Sequence, residues 1–183
     1  ETTSLNAMEA ELVGISFAYV TGEAYYIPCP ENQEETQAIL EILRPLFENE
    51  AILKIGQNIK YDILVLKNYG IEVKGALYDT MLAHYLIEPE GRHSMDWLAE
   101  QYLNYKTVSI TELIGKKGKN QGNMRDVDED EVTGYAAEDA DITLRLKATF
   151  DPTLKENQLE KLFNEVENPL INVLADMEFE GIR

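Results

Sequence analysis

Tyr135 and Asp139 stand four residues apart in a stretch that reads as one helix. Four residues is about one helical turn, so a phenol and a carboxylate project from the same face. Val132, Ala136, Ala140 and Leu144 form the apolar stripe of that helix. Asp139 therefore lies beside a face that should be buried. A carboxylate is costly there unless it is paired or coordinates a metal. Taken alone, the pair reads more simply as an exposed Asp with a core Tyr.

Two further acids change that balance. Asp62 lies in the segment Asn58 to Leu66, where Ile59, Ile63 and Leu66 recur at helical spacing around it. Glu1 heads the run Thr2, Thr3, Ser4, Leu5. Carboxylates from three separate segments, two of them facing a core, suggest a shared cation. Hard divalent ions such as Mg²⁺ take oxygen ligands, and paired metals suit phosphoryl chemistry.

With these residues in hand, the chain resembles the 3′-to-5′ proofreading exonuclease domain of family A DNA polymerases, the bacterial DNA polymerase I type. That superfamily carries a D-x-E strand, a central Asp and a final Y-x-x-x-D. The central motif resembles Gly56 to Asp62, and the last is Tyr135 to Asp139. The blocks Gly91 to Glu100 and Gly115 to Gln121 resemble the polymerase I branch more specifically. The D-x-E motif is represented only by its final residue, Glu1, so the resemblance places its first Asp two positions earlier, outside this chain. The segment Glu178 to Arg183 resembles the opening of a polymerase domain. The expected division is 1–165 for the exonuclease domain and 166–183 for a connecting helix that starts the polymerase domain.

The resemblance implies a ribonuclease H-like α/β fold: a mixed sheet flanked by helices, its first strand truncated at the chain start. It implies hydrolysis of the terminal phosphodiester at a DNA 3′ end, with Mg²⁺ or Mn²⁺ as a pair of ions in the intact site. Glu1 and Asp139 would ligate one ion directly, Asp62 would support the second through waters, and Tyr135 would position the attacking water. A phenol is too weak an acid to serve readily as a base at neutral pH. Leu5 matches an apolar wedge beside the terminal base. Gln57, Asn58 and Tyr61 match positions lining the single strand, and Arg92 matches a phosphate contact. Ile110 stands where the family often has a Phe, which removes a stacking surface. Lys116, Lys117 and Lys119 could reach phosphates or form a solvated loop. The implied partners are a single-stranded DNA 3′ end and the polymerase domain of the same parent chain, in a bacterial cytoplasm. This chain by itself is expected to be inactive or weakly active.

Composition sets limits. The chain of 183 residues suits one domain, and its 44% hydrophobic content is ordinary for a globular protein. No apolar run approaches the roughly 20 residues that span a bilayer, so no membrane partner is expected. One Cys and two His give no zinc pattern. A net charge of −18 opposes strong nucleic-acid binding, which usually leaves a basic footprint. Bound divalent cations would invert the field locally.

The elements follow from periodicity and turn chemistry. Leu12 to Tyr19 and Ala24 to Pro28 read as a hairpin turning at Thr21 to Glu23. Gln33 to Phe47 reads as a helix ending near Pro45, and Ala51 to Ile55 as a strand. Asn58 should cap a helix that Gly70 stops. A strand at Ala76 to Tyr78 leads to a helix over Asp79 to Ile87, and Ser94 should cap another to Leu103. Asp126 or Asp128 should cap the long helix bearing Tyr135, and a last helix over Leu159 to Glu180 should bend at Pro169. Two other readings stay open: a ribonuclease D-like 3′ exoribonuclease, and a non-catalytic scaffold domain of a polymerase.

Overall fold

The structure is a computed structural model and describes residues 1–116, 118 and 121–182. The elements run β1 (Gly14–Val20), β2 (Glu23–Pro28), α1 (Gln33–Phe47), β3 (Lys54–Gly56), α2 (Ile59–Asn68), β4 (Leu77–Asp79) and α3 (Thr80–Ile87). They continue with α4 (Met95–Leu103), α5 (Ile110–Ile114), α6 (Glu129–Glu156), α7 (Glu160–Leu162), a π-helical turn (Phe163–Glu167) and α8 (Asn168–Phe179).

The antiparallel pair β1–β2 and the parallel pair β3–β4 supply the mixed strand directions, as two separate ladders. Gly22 makes the hairpin turn at φ +83°, a conformation open to glycine at little cost. Residues Glu1 to Thr3 lie along the outer edge of β1: Thr2 bridges Leu12, and the Glu1 carbonyl accepts from the amides of Val13 and Gly14. α1 and α2 build one apolar cluster with Leu40, Phe47, Ile63 and Val65. The C-terminal half of α6 builds another with Leu98, Leu146, Phe150 and Phe163. Among the described residues no helix is long and apolar enough to cross a membrane.

Two expected caps are absent. Asn58 sits at the start of α2 in the left-handed region, and its side chain caps nothing. Ser94 precedes α4 without a side-chain cap. The α2 amides are satisfied instead by Asp79, which accepts from Asn58 N at 3.3 Å and Ile59 N at 2.8 Å. The same carboxylate caps α3 through Met81 N and Leu82 N. α1 has the expected bounds, and Pro45 lies within its last turn. Near Pro169 the helix winds into a π turn; a proline has no amide to donate and crowds the preceding turn, and one widened turn accommodates both.

Candidate active site

α6 sets the position of two site residues. Asp128 caps its first turn through Asp130 N at 3.0 Å, and Val132 and Ala136 bury its apolar stripe. Further along, the stripe divides. Ile142, Leu146 and Phe150 enter the core, whereas Ala140 and Leu144 line a cavity of about 750 Å³ and stay half-exposed. Asp139 lies on that cavity wall, with Asp62 from α2 and Glu1 from the edge of β1. The three acids expected to converge therefore border one cleft. Tyr135, one turn before Asp139, steadies its carboxylate and is itself pushed to higher pKa by burial and by the charges of Asp139 and Glu1.

The charges in this cleft are poorly compensated. Burial first, then repulsion by Glu1, raises Asp139 to about 7; Tyr135 opposes the shift, and Asp96 adds to it. Burial also raises Asp62 to about 7, with Glu1 and Asp79 adding to it and the α-ammonium group of Glu1 opposing it. Asp62 is open to solvent by surface area although protein surrounds it. The concave wall of a cleft produces that combination, and water in the cleft softens the penalty. Among the described residues no three acid, His or Cys side chains gather closely enough to hold a metal ion as arranged. The donor chemistry nevertheless fits a hard divalent cation: carboxylate oxygens only, mutually repelling and short of protein donors.

The expected binding residues divide into engaged and free. Gln57 is engaged, donating to the His93 carbonyl at 2.7 Å and accepting from the Thr80 hydroxyl. Its side chain fastens the loop after β3 to the segment that carries Arg92. Tyr61 bonds to the Thr2 hydroxyl at 2.6 Å and to the Ser4 carbonyl, which ties the Leu5 segment to α2. Leu5 is 81% exposed, so it is no core residue. Asn58 and Arg92 are exposed. Ile110 opens the short α5 and is partly exposed. Lys116 is exposed, and Lys117 and Lys119 lie outside the described residues.

Two acids escaped the sequence reading. Asp96 faces the Asp139–Tyr135 pair electrostatically and accepts from the Thr107 hydroxyl at 3.0 Å. Asp79 is the double cap described above; an Asp directly before an apolar helical run was the available signal. The two histidines pair with each other at 2.7 Å, and His84 also meets Tyr102 at 3.0 Å. They pack among aromatic rings, and neither lines the cleft. A smaller cavity of about 350 Å³ beside Tyr26, Cys29 and Arg125 contains none of the expected site residues.

A family model described as 3′-5′ exonuclease matches residues 1–155. DNA polymerase I of Pseudomonas aeruginosa is 40% identical over 191 residues, covering 99% of this chain and 21% of that protein. The chain thus spans about a fifth of the length of the curated relatives it matches. Among solved structures, Brucella melitensis NrnC with bound Mg²⁺ superposes with a TM-score of 0.78 at 19% identity, covering 99% of this chain and 83% of that one. A structure of Pol1 from M. smegmatis in complex with DNA primer-template and dNTP superposes at 0.74 and 21% identity, covering 96% of this chain and 27% of that one.

Proposed function

Because the chain belongs to the 3′-5′ exonuclease family, we propose that its cleft hydrolyses the terminal phosphodiester of a single-stranded DNA 3′ end, as the proofreading domain of a DNA polymerase I. The observation that carries this reading is the pair Asp62 and Asp139, two carboxylates on one cleft raised towards neutrality with no backbone amide from another residue to balance them. Glu1, Asp62 and Asp139 would hold Mg²⁺ or Mn²⁺. A bound divalent ion supplies charge stabilisation and a more acidic water.

The chain's own residues do the rest. Tyr135 keeps its proton at any ordinary pH, so its hydroxyl orients water and takes no proton from it. Leu5, exposed and tethered through Tyr61, would wedge beside a terminal base. Asn58 and Arg92 offer free polar groups to the strand, while Gln57 positions the Arg92 loop through His93. We assign residues 1–165 to the exonuclease domain and 166–183 to the start of the polymerase domain. Supporting that division, Leu162, Val166, Leu170, Val173 and Met177 are all exposed along one side of α7–α8. The opposite side packs Ile171 and Ala175 inward. A helix apolar on both sides is normally buried on both, which fits a polymerase domain as its second neighbour.

In the polymerase chain, Asp62→Ala or Asp139→Ala should lower 3′-to-5′ digestion by more than about 100-fold while polymerisation is unchanged. Unchanged digestion in either variant overturns the reading. The scaffold alternative draws its support from the acids bordering the cleft without a threefold cluster, and that result would leave it standing.

A further inference from the structure

Glu138 and Asp139 are neighbours on α6 that leave it in different directions, because successive residues of a helix are turned by about 100°. Asp139 lines the cleft and Glu138 does not. Glu138 faces the segment 104–109, which joins α4 to α5. Both of its oxygens are engaged there. One accepts from the Tyr105 hydroxyl at 2.8 Å and the other from the Val108 amide at 2.7 Å. Arg145, two turns further along α6, holds the Tyr105 ring as well, its guanidinium 5.4 Å from the ring centre. Arg145 itself pairs with Asp141 at 3.6 Å.

The segment has little core of its own. Tyr105 and Val108 are exposed, and within 104–109 only Thr107 is buried. The Thr107 hydroxyl donates to Asp96 on α4 at 3.0 Å. Consecutive residues therefore reach acids on two helices, Thr107 to Asp96 and Val108 to Glu138. Asp96 is the acid whose charge acts on Asp139 and Tyr135. At the end of the segment, Ser109 caps α5 through Thr111 N at 3.3 Å. Leu113 and Ile114 of α5 pack on Val13, Met124 and Val132, the same cluster that receives Tyr135. The seat that α5 shares with Tyr135 is thus set by how the segment is fastened to α6.

We propose that Glu138 is a positioning residue of the cleft: by fastening residues 104–109 to α6, it holds Asp96 and α5 in place against Asp139 and Tyr135. This role rests on the exonuclease reading and extends it to a carboxylate outside the cleft. The role needs the two bonds and not the charge. A Gln side chain of the same length offers its oxygen to the Val108 amide and an N–H to the Tyr105 oxygen, which can accept as well as donate. An Ala leaves both partners to water. A cleft whose groups shift slightly loses rate while still admitting its substrate, because alignment matters more to the transition state than to binding.

The test is steady-state 3′-to-5′ digestion of a single-stranded DNA oligonucleotide by the polymerase chain with Mg²⁺, beside amide exchange on the purified chain. Glu138→Ala should lower kcat by about tenfold or more, with KM moved by less than about threefold. Glu138→Gln should stay within about twofold of the unaltered chain in both. Tyr105→Phe, which deletes one of the two bonds and keeps the ring, should fall between them. Exchange at Val108 and from Thr111 to Ile114 should quicken by about tenfold in Glu138→Ala, with α6 unchanged and no such change in Glu138→Gln. Asp139→Ala is measured alongside: if it digests normally, the exonuclease reading fails and takes this role with it. If Asp139→Ala is inactive, three results each overturn the role alone. The first is an unaltered kcat in Glu138→Ala. The second is an equal loss in Glu138→Gln, which would assign the effect to charge beside Asp139. The third is a change confined to KM, which would make the segment a contact for the strand. If Glu138→Ala does not fold, Tyr105→Phe against Glu138→Gln still decides, and equal rates in the two overturn the role.

Discussion

Asp79 is 2% exposed and accepts four backbone amides, two at each of two helix starts. Asp62 and Asp139 line the cleft and receive no amide from any other residue. Burial raises the pKa of all three, yet around Asp79 the four amides pull back against it. At the first site the carboxylate serves the fold, joining β4 to α2 and α3. At the second the fold tolerates carboxylates it does not satisfy. A protein retains such groups where another ligand completes them, so the contrast separates a structural acid from a chemical one without reference to sequence motifs.

The largest expected effect breaks the structural side. Asp79→Ala leaves buried amides at the heads of α2 and α3 without an acceptor, at about 1–3 kcal/mol per stranded group before relaxation. We expect a loss of about 3 kcal/mol and a melting temperature lower by about 6–12 °C. Calorimetry on the purified chain checks this. A loss no larger than that of Asp62→Ala would erase the distinction.

The chemical side should respond in the opposite direction. Asp62 and Asp139 have folded pKa values near 7, above the ordinary value of about 4 in an unfolded chain. Between those values the folded state binds more protons, so stability falls as pH rises from about 4 to 7 and the full penalty persists above that. Asp62→Asn and Asp139→Asn remove the titration. Each variant should melt close to the unaltered chain at pH 4 and higher than it at pH 8. Mg²⁺ should raise the melting temperature of the unaltered chain at pH 8 and leave the double Asn variant unmoved. An equal Mg²⁺ response in both would show that these acids hold no cation.

The same contrast explains what was legible in the sequence. Periodicity located α1, α2 and α6, because helices that bury one face must repeat their apolar residues. It also placed Asp62, Tyr135 and Asp139 against apolar faces, and the cleft is lined by the two acids, with Tyr135 packed beside it against Val13, Met124 and Val132. The caps were legible only in part. Asn58 has the residue type of a cap, but Asp79, 21 residues later, reaches the amides first, and no local pattern encodes a contact across two strands. Gln57 likewise looked free until the fold supplied His93 and Thr80 as partners. The division of the α6 stripe between core and cavity depends on what packs against each turn, and one helix's sequence does not record that.

The smallest effect sharpens the comparison between a tether and a titrating group. Tyr61 holds the Glu1–Leu5 segment through Thr2 and Ser4. Tyr61→Phe keeps the ring and deletes those bonds, a loss of about 1 kcal/mol and a melting temperature lower by about 2–4 °C. The Glu1 segment should loosen first, so amide exchange at Thr3, Val13 and Gly14 should accelerate before that of α2. Burial raises the Tyr61 pKa above its ordinary value near 10, so the hydroxyl stays neutral throughout the range in which Asp62 and Asp139 titrate. The Tyr61→Phe deficit should therefore be the same at pH 5 and pH 8, where the Asn variants change most. A deficit that tracks the Asn variants with pH would mean that the tether acts by positioning Glu1 against the two acids, and the segment would then belong to the chemical region.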